Sequence, residues 1–210
     1  MLNYRIKVID NFLKREDYNE LCKIFLNKGC SKNISVFHNE ISNNGVIKSS
    51  IDEGLLTSLH QSYFSKAIEI LKELNPEKIE LYDYSDFSIV ITKKNKEFPI
   101  HDDTPDKLLS GVIYLHPEEN VGTFFFNSKR GEDKETIEWK KNRAVFFSRK
   151  EKTTWHSYKS NDKSNRITLV YNLKTFRVKK VFEIEKRNFL LGYLRFKLNP
   201  YIYRLLKKTI

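Results

Sequence analysis

Of the five histidines in the chain, at positions 38, 60, 101, 116 and 156, one stands in a His-x-Asp arrangement: PIHDDTP carries His101 and Asp103. Side chains two apart on an extended segment point to the same side, so this imidazole and this carboxylate can face a common ion while Asp102 points away. Two side chains hold a transition metal with little affinity, and a third ligand must come from elsewhere. His156 in TTWHSYKS is the candidate, because it follows the apolar run 144–147 and precedes RITLVYNL, which puts it at a sheet edge or mouth. Two imidazoles and one carboxylate, with the other coordination positions left to small ligands, suit catalytic ferrous iron; zinc is compatible with the same ligand types.

Arg166 comes ten residues after His156, at the head of an apolar strand. A guanidinium there is expensive without a partner, and its fork of donors matches a carboxylate in two parallel hydrogen bonds. An inward-facing Arg166 therefore implies a bound acid. Thr168, two positions on, shares its face and can add a hydroxyl.

The elements that must position these groups follow from periodicity. Residues 4–13 alternate apolar and polar, and REDYNELCKIFLNKG then carries Tyr18, Leu21, Cys22, Phe25 and Leu26 at helical spacing. Residues 30–50, rich in Ser, Asn and Gly, read as a long loop or weak strands. Ser50 and Glu53 have the spacing of a capping box, and the helix they open runs with apolar residues three and four apart until Asn75-Pro76 stops it. From residue 78 to 173 the grammar is that of strands, at 87–92, 109–115, 122–127, 143–148 and 166–173. Helices first and strands after read as α+β with a sandwich or jelly-roll core. One domain is expected over 1–185, with a helical lead-in over 1–77 and the strand-built core over 78–185, followed by a basic amphipathic tail over 186–210.

Composition bounds the rest. With 210 residues, 40% hydrophobic and 13% aromatic, the chain can build a real core and is neither disordered nor fibrous. Cys22 and Cys30 are too few for a disulfide scaffold and are expected as reduced thiols. Charged residues interrupt the N-terminal segment before any signal-like apolar run, and no stretch approaches a membrane span, so a cytoplasmic protein is expected. A net charge of +11 suits an anionic partner without naming one. His38 in the polar loop, His60 on the polar side of the second helix and His116 before Pro117 are expected to be structural, as are Trp139 and Trp155.

The ordered set HDD, WHS and Arg166 resembles the 2-oxoglutarate- and Fe(II)-dependent dioxygenases, and the flanking text is most similar to their prolyl 4-hydroxylase-type branch. FSIVITKKNKEFPIHDDTPDKLLSGVIYL, VGTFFF, KKNRAVFFS and RITLVYNL follow that branch's order of strands over about residues 80–173. The resemblance implies a double-stranded β-helix, with N-terminal supporting helices and a C-terminal helical tail around it. It implies that His101, Asp103 and His156 form the catalytic Fe(II) centre and that Arg166 binds the distal carboxylate of 2-oxoglutarate. Tyr114 stands where relatives place a tyrosine on that carboxylate, and Thr168 where they place a small hydroxyl residue. O2 is then the second co-substrate, ascorbate a compatible auxiliary reductant, and succinate and CO2 the by-products. Asp103 fills the position that halogenating relatives leave empty, which points to hydroxylation rather than chlorination.

The expected substrate is a peptidyl side chain, with proline the most analogous target, or a small metabolite. A second reading is oxidative demethylation of alkylated nucleic acid, encouraged by a pI of about 9.4. Those demethylases carry a second arginine six positions after the first, where this chain has Asn172, and no aromatic-lined base pocket is evident. Nucleic acid therefore ranks behind peptides and small molecules. A third reading is an inactive jelly-roll binding module, against which the retention of all four site residues argues. The tail is expected to pack as a helix with a solvated basic face, a pattern that also suits acidic lipid, a partner or a dimer. Oligomeric state is not legible from the sequence.

Overall fold

The computed structural model describes residues 1–26, 28, 32–195 and 198. In chain order the elements are β1 (Ile6–Ile9), α1 (Arg15–Leu26), β2 (Ile34–Phe37), β3 (Glu40–Ser42), β4 (Gly45–Lys48), α2 (Glu53–Leu74) and β5 (Tyr84–Thr92). They continue as β6 (Glu97–His101), β7 (Lys107–His116), β8 (Thr123–Phe126), β9 (Glu135–Ile137), β10 (Ala144–Phe147), β11 (Trp155–Lys159), β12 (Arg166–Lys174) and α3 (Val178–Ile184). The described residues form two antiparallel sheets, one of eight strands ordered β1-β10-β7-β12-β5-β3-β4 with β2 also paired to β5, and one of four ordered β6-β11-β8-β9. From β5 to β12 the chain passes back and forth between the sheets, which is how a double-stranded β-helix is wound. The segment 30–50 thus yields three strands, β2 to β4, where its composition left a loop open.

Alternation along β12 sorts its side chains. Ile167, Leu169, Tyr171 and Leu173 enter the helix-side core, while Arg166, Thr168, Val170, Asn172 and Lys174 line the interior between the sheets. Strand β5 is buried along its full length because α2 lies on one side of it and the interior on the other. Gly111 of β7 marks the tightest approach: a Cβ there would meet the Tyr171 carbonyl oxygen at 2.6 Å and the Phe146 ring at 2.3 Å. Between the sheets, Tyr114, Phe125, Val145 and Phe147 close one part of the space. The remainder is a cavity of about 290 Å³.

Helix α2 starts from Asp52, whose carboxylate accepts from the Leu55 amide at 2.9 Å. The Ser50–Glu53 capping box is therefore corrected: a charged acceptor at 52 takes the cap, and Ser50 Oγ donates instead to Asn39 Oδ1 at 2.9 Å. His60 is also corrected, since it is buried against Phe64 and Phe87 rather than on a polar face. The buried side of α2 is wide enough to take in a residue beside Leu56 and Leu59. Leu59 is fully buried in this core; Leu59→Ala is expected to lower stability by about 2–5 kcal/mol. A lower urea midpoint at unchanged slope would report it.

Cys22 is a free thiol, half-buried, 3.8 Å from the Leu115 carbonyl, and burial pushes its pKa up. Cys30 lies outside the described residues. Among the described residues no helix is long and apolar enough to cross a membrane. The tail is helical over 189–195 and meets α3 through Phe182 and Phe189, whose ring centroids are 5.9 Å apart; the rest of it, apart from Leu198, lies outside the described residues.

Candidate metal and co-substrate site

The antiparallel register of β6 and β11 sets His101 directly opposite His156, with ring centroids 4.2 Å apart. His101 Nδ1 lies 2.9 Å from the Pro99 carbonyl oxygen and His156 Nδ1 lies 3.1 Å from that of Thr154. A carbonyl only accepts, so each Nδ1 carries the proton and each Nε2 keeps a bare lone pair. Asp103, just beyond β6, turns its carboxylate to the same place, its Oδ2 3.9 Å from His156 Nε2. One ligand atom from each of His101, Asp103 and His156 lies within 4.8 Å of the others. Asp102 points away, as alternation requires, and accepts from Arg195 at 2.5 Å and from the Lys152 amide at 2.9 Å.

The electrostatics suit a cation. Burial, reinforced by His156, lowers the His101 pKa to about 3, and burial lowers that of His156 as well. Both rings are thus neutral at pH 7, the form that ligates metal. Burial opposes ionisation of Asp103, yet Lys107 and the two imidazoles outweigh it and hold the carboxyl well below the usual range. Lys107 Nζ donates to Asp103 Oδ1 at 2.6 Å and Ser110 Oγ to Oδ2 at 2.5 Å, which fixes the carboxylate plane.

Behind this turn runs a buried ionic chain that the sequence did not disclose. Arg149 Nε donates to the Asp103 carbonyl at 3.1 Å while its other nitrogens bind Glu185, at 2.9 Å, and Glu151. Glu151 also pairs with Arg195, and Lys78 reaches Glu185 at 2.7 Å. The one signal was Arg149 following the apolar run AVFFS, and that reads equally as a solvated strand end.

Arg166 lies fully buried in the wall of the same cavity as the three ligands. Aromatic rings surround its guanidinium carbon, with Tyr158 at 4.3 Å, Trp139 at 5.3 Å and Tyr114 at 5.6 Å to the centroids. Its Nη1 is 3.5 Å from Thr168 Oγ1, and its Nε and Nη2 have no partner among the described residues. A buried guanidinium with two orphaned donors is what a carboxylate would complete. Tyr114 is close but otherwise engaged: its hydroxyl donates to Thr123 Oγ1 at 2.9 Å, with the Ile137 carbonyl at 3.3 Å. Thr123 and Tyr158 line the cavity there and were missed; Tyr158 stands two after His156 on one strand, which alternation could have flagged. Trp139, expected to pack, stacks on Tyr114 at 4.4 Å, and Trp155 lies 5.7 Å from the Arg195 guanidinium.

No family model and no curated protein matches the chain. Solved structures do match. An oxidoreductase of the 2OG-Fe(II) oxygenase family from Burkholderia pseudomallei aligns at TM-score 0.56 and 12% identity, over 80% of this chain and 84% of that one. The fold is that of the 2-oxoglutarate/Fe(II) oxygenases. Several of the structures sharing this oxygenase fold are prolyl hydroxylases. A viral collagen prolyl hydroxylase from Paramecium Bursaria Chlorella virus-1, in a 2OG complex, aligns at TM-score 0.56 and 18% identity, over 83% of this chain and 98% of that one. A Trichoplax adhaerens prolyl hydroxylase, in complex with a hypoxia inducible factor peptide fragment, aligns at TM-score 0.56 and 14% identity, over 85% and 87%.

Proposed function

We propose that residues 1–185 form a single catalytic domain that couples oxidative decarboxylation of 2-oxoglutarate to hydroxylation of a C–H bond, in a peptidyl side chain or a small metabolite. The observation that carries this is one cavity holding both a neutral His/His/carboxylate cluster and a buried arginine with unsatisfied donors. His101 Nε2, His156 Nε2 and an Asp103 oxygen would hold Fe(II); Arg166 would hold the distal carboxylate of 2-oxoglutarate, with Thr168 beside it. When bound, iron, 2-oxoglutarate and O2 supply the oxidant for C–H hydroxylation. The protein's own part is positional. Pro99 and Thr154 fix the imidazole tautomers, Lys107 and Ser110 hold the carboxylate, and Tyr158, Trp139 and Tyr114 exclude water from Arg166.

The demethylase reading fits the cavity less well, because Asn172 is already bonded to Asp86 in the place of a second arginine. Exposed Leu190, Leu191 and Leu194 on the basic tail would suit acidic lipid or a partner. The test of the central reading is iron-dependent conversion of 2-oxoglutarate to succinate under O2, paired with anaerobic binding of Fe(II) and 2-oxoglutarate. Absence of both would refute it.

A further inference from the structure

Asn172 and Asp86, in the cavity wall away from Arg166, have no part in the chemistry above. Asn172 follows Arg166 by six residues on β12, which places their Cα atoms roughly 20 Å apart. A small diacid held by Arg166 therefore does not reach it. In the sheet, Asn172 lies between Ser110 of β7 and Asp86 of β5, and Ser110 is the residue whose hydroxyl holds Asp103. The Asn172 end is thus one strand away from the ligand cluster.

Asn172 Nδ2 donates to Asp86 Oδ2 at 3.0 Å. A carboxylate only accepts, so the amide orientation is fixed. Its Oδ1 is left buried and, among the described residues, without a partner, on a side chain that lines the cavity. Asp86 takes its other hydrogen bonds from the Ser88 amide at 3.0 Å and the Ser88 hydroxyl, so its donors are all neutral. Two ammonium groups also face this end, neither hydrogen-bonded to Asp86: Lys174 pairs with Asp106 at 2.8 Å and Glu40 at 3.9 Å, with Asp86 adding to the negative charge around it, and Lys107 pairs with Asp103 at 2.6 Å. The Arg166 guanidinium lacks an acceptor, and at this end Asn172 Oδ1 lacks a donor among the described residues.

We infer that the substrate presents a protonated amine or guanidinium here, donating to Asn172 Oδ1 and facing Asp86, whether on a free amino acid or on a peptide side chain. This rests on the oxygenase reading for the reaction, though not for the binding. The net charge of +11 does not gather cations from a distance. Recognition is local, through a buried amide and a buried carboxylate.

Anaerobic calorimetry with Fe(II) and 2-oxoglutarate tests it, using L-lysine, L-arginine and an N-acetylated lysyl tripeptide amide as the charged probes, and Nα-acetyl-norleucine amide and Nα,Nε-diacetyl-lysine amide as the neutral ones. The charged probes, free or peptidyl, are expected to bind at least about tenfold tighter than the neutral ones, as a hydrogen-bonded charge should. The free and peptidyl arms identify the source. Asp86→Asn is expected to erase the difference; should that variant fail to fold, Asn172→Ala carries the same expectation. Equal binding of charged and neutral probes, or discrimination unchanged in the variants, overturns the assignment. So does a second metal equivalent per chain that His38→Ala removes, because His38, Glu40 and Asp86 would then hold a metal ion instead. Succinate release without added amine separates the two levels. Its presence alongside indifferent amine binding refutes the amine site alone, whereas its absence with and without added amine, together with no anaerobic binding of Fe(II) or 2-oxoglutarate, refutes the oxygenase reading and, alongside selective amine binding, upholds the site.

Discussion

Asp103→Ala is expected to weaken Fe(II) binding by more than about a hundredfold, since groups that merely support a metal ligand are already worth roughly 10–100-fold. Without the carboxylate, two neutral imidazoles remain and no anion offsets the cation. The fold is expected to survive, because Lys107, the partner left behind, keeps a fifth of its side chain in solvent and can turn outward. Asp102→Ala is the informative control. It breaks the contact with Arg195 but removes no candidate ligand, so its loss should be much smaller. Anaerobic Fe(II) titration with circular dichroism on the same samples decides the matter: wild-type affinity in Asp103→Ala would exclude the assigned triad.

Arg166→Met is expected to act in opposite directions on the free and the liganded protein. In the free protein this buried guanidinium has no carboxylate partner among the described residues, only three rings and one distant hydroxyl. Burial holds its pKa below the ordinary arginine value, the mark of a cation short of compensation. A methionine of similar length fills the space without that penalty, so the free variant should melt at the same temperature as wild type or higher. Binding of 2-oxoglutarate should fall by about 2–5 kcal/mol, the usual loss on removing one partner of a buried charge pair. The shift in melting temperature that 2-oxoglutarate gives to wild type should then vanish. A variant still stabilised by 2-oxoglutarate would move the carboxylate site away from Arg166.

Much of this site was legible because it obeys short-range rules. His101 and Asp103 share a side, and Asp102 does not, through alternation alone. His156 and Arg166 were marked by their position beside apolar strands. The groups that escaped notice are ones that alternation does not pair: Lys107 and Ser110 on Asp103, four and seven residues before them, Tyr158 and Trp139 on Arg166, and Arg149, 46 residues away, on the backbone of the ligand turn. Nothing in the apolar pattern marks a serine in LLSGVIYL as a carboxylate's partner; the turn that leads from Asp103 into β7 brings it there. The misread helix start has a plainer cause. Ser50 and Asp52 are both good caps, and spacing alone did not weigh an ionised acceptor against a hydroxyl. His60 was placed on the wrong side because the buried face of α2 is broader than a narrow stripe.

The ionic chain behind the ligand turn also bears on when the molecule can finish folding. Lys78 and Arg149 lie in the interior, yet Glu185, which both of them bind, and Arg195, which closes the far end, belong to the last stretch of the described chain. During translation the ribosome has released every strand of both sheets before these counter-charges emerge. Until then the nascent roll holds the Lys78 ammonium in its interior without its carboxylate and the Arg149 guanidinium with Glu151 alone, and a chain terminated ahead of residue 185 stays in that condition. Such a truncation is expected to yield aggregating rather than merely shortened protein, measurable as loss from the soluble fraction of a cell-free synthesis.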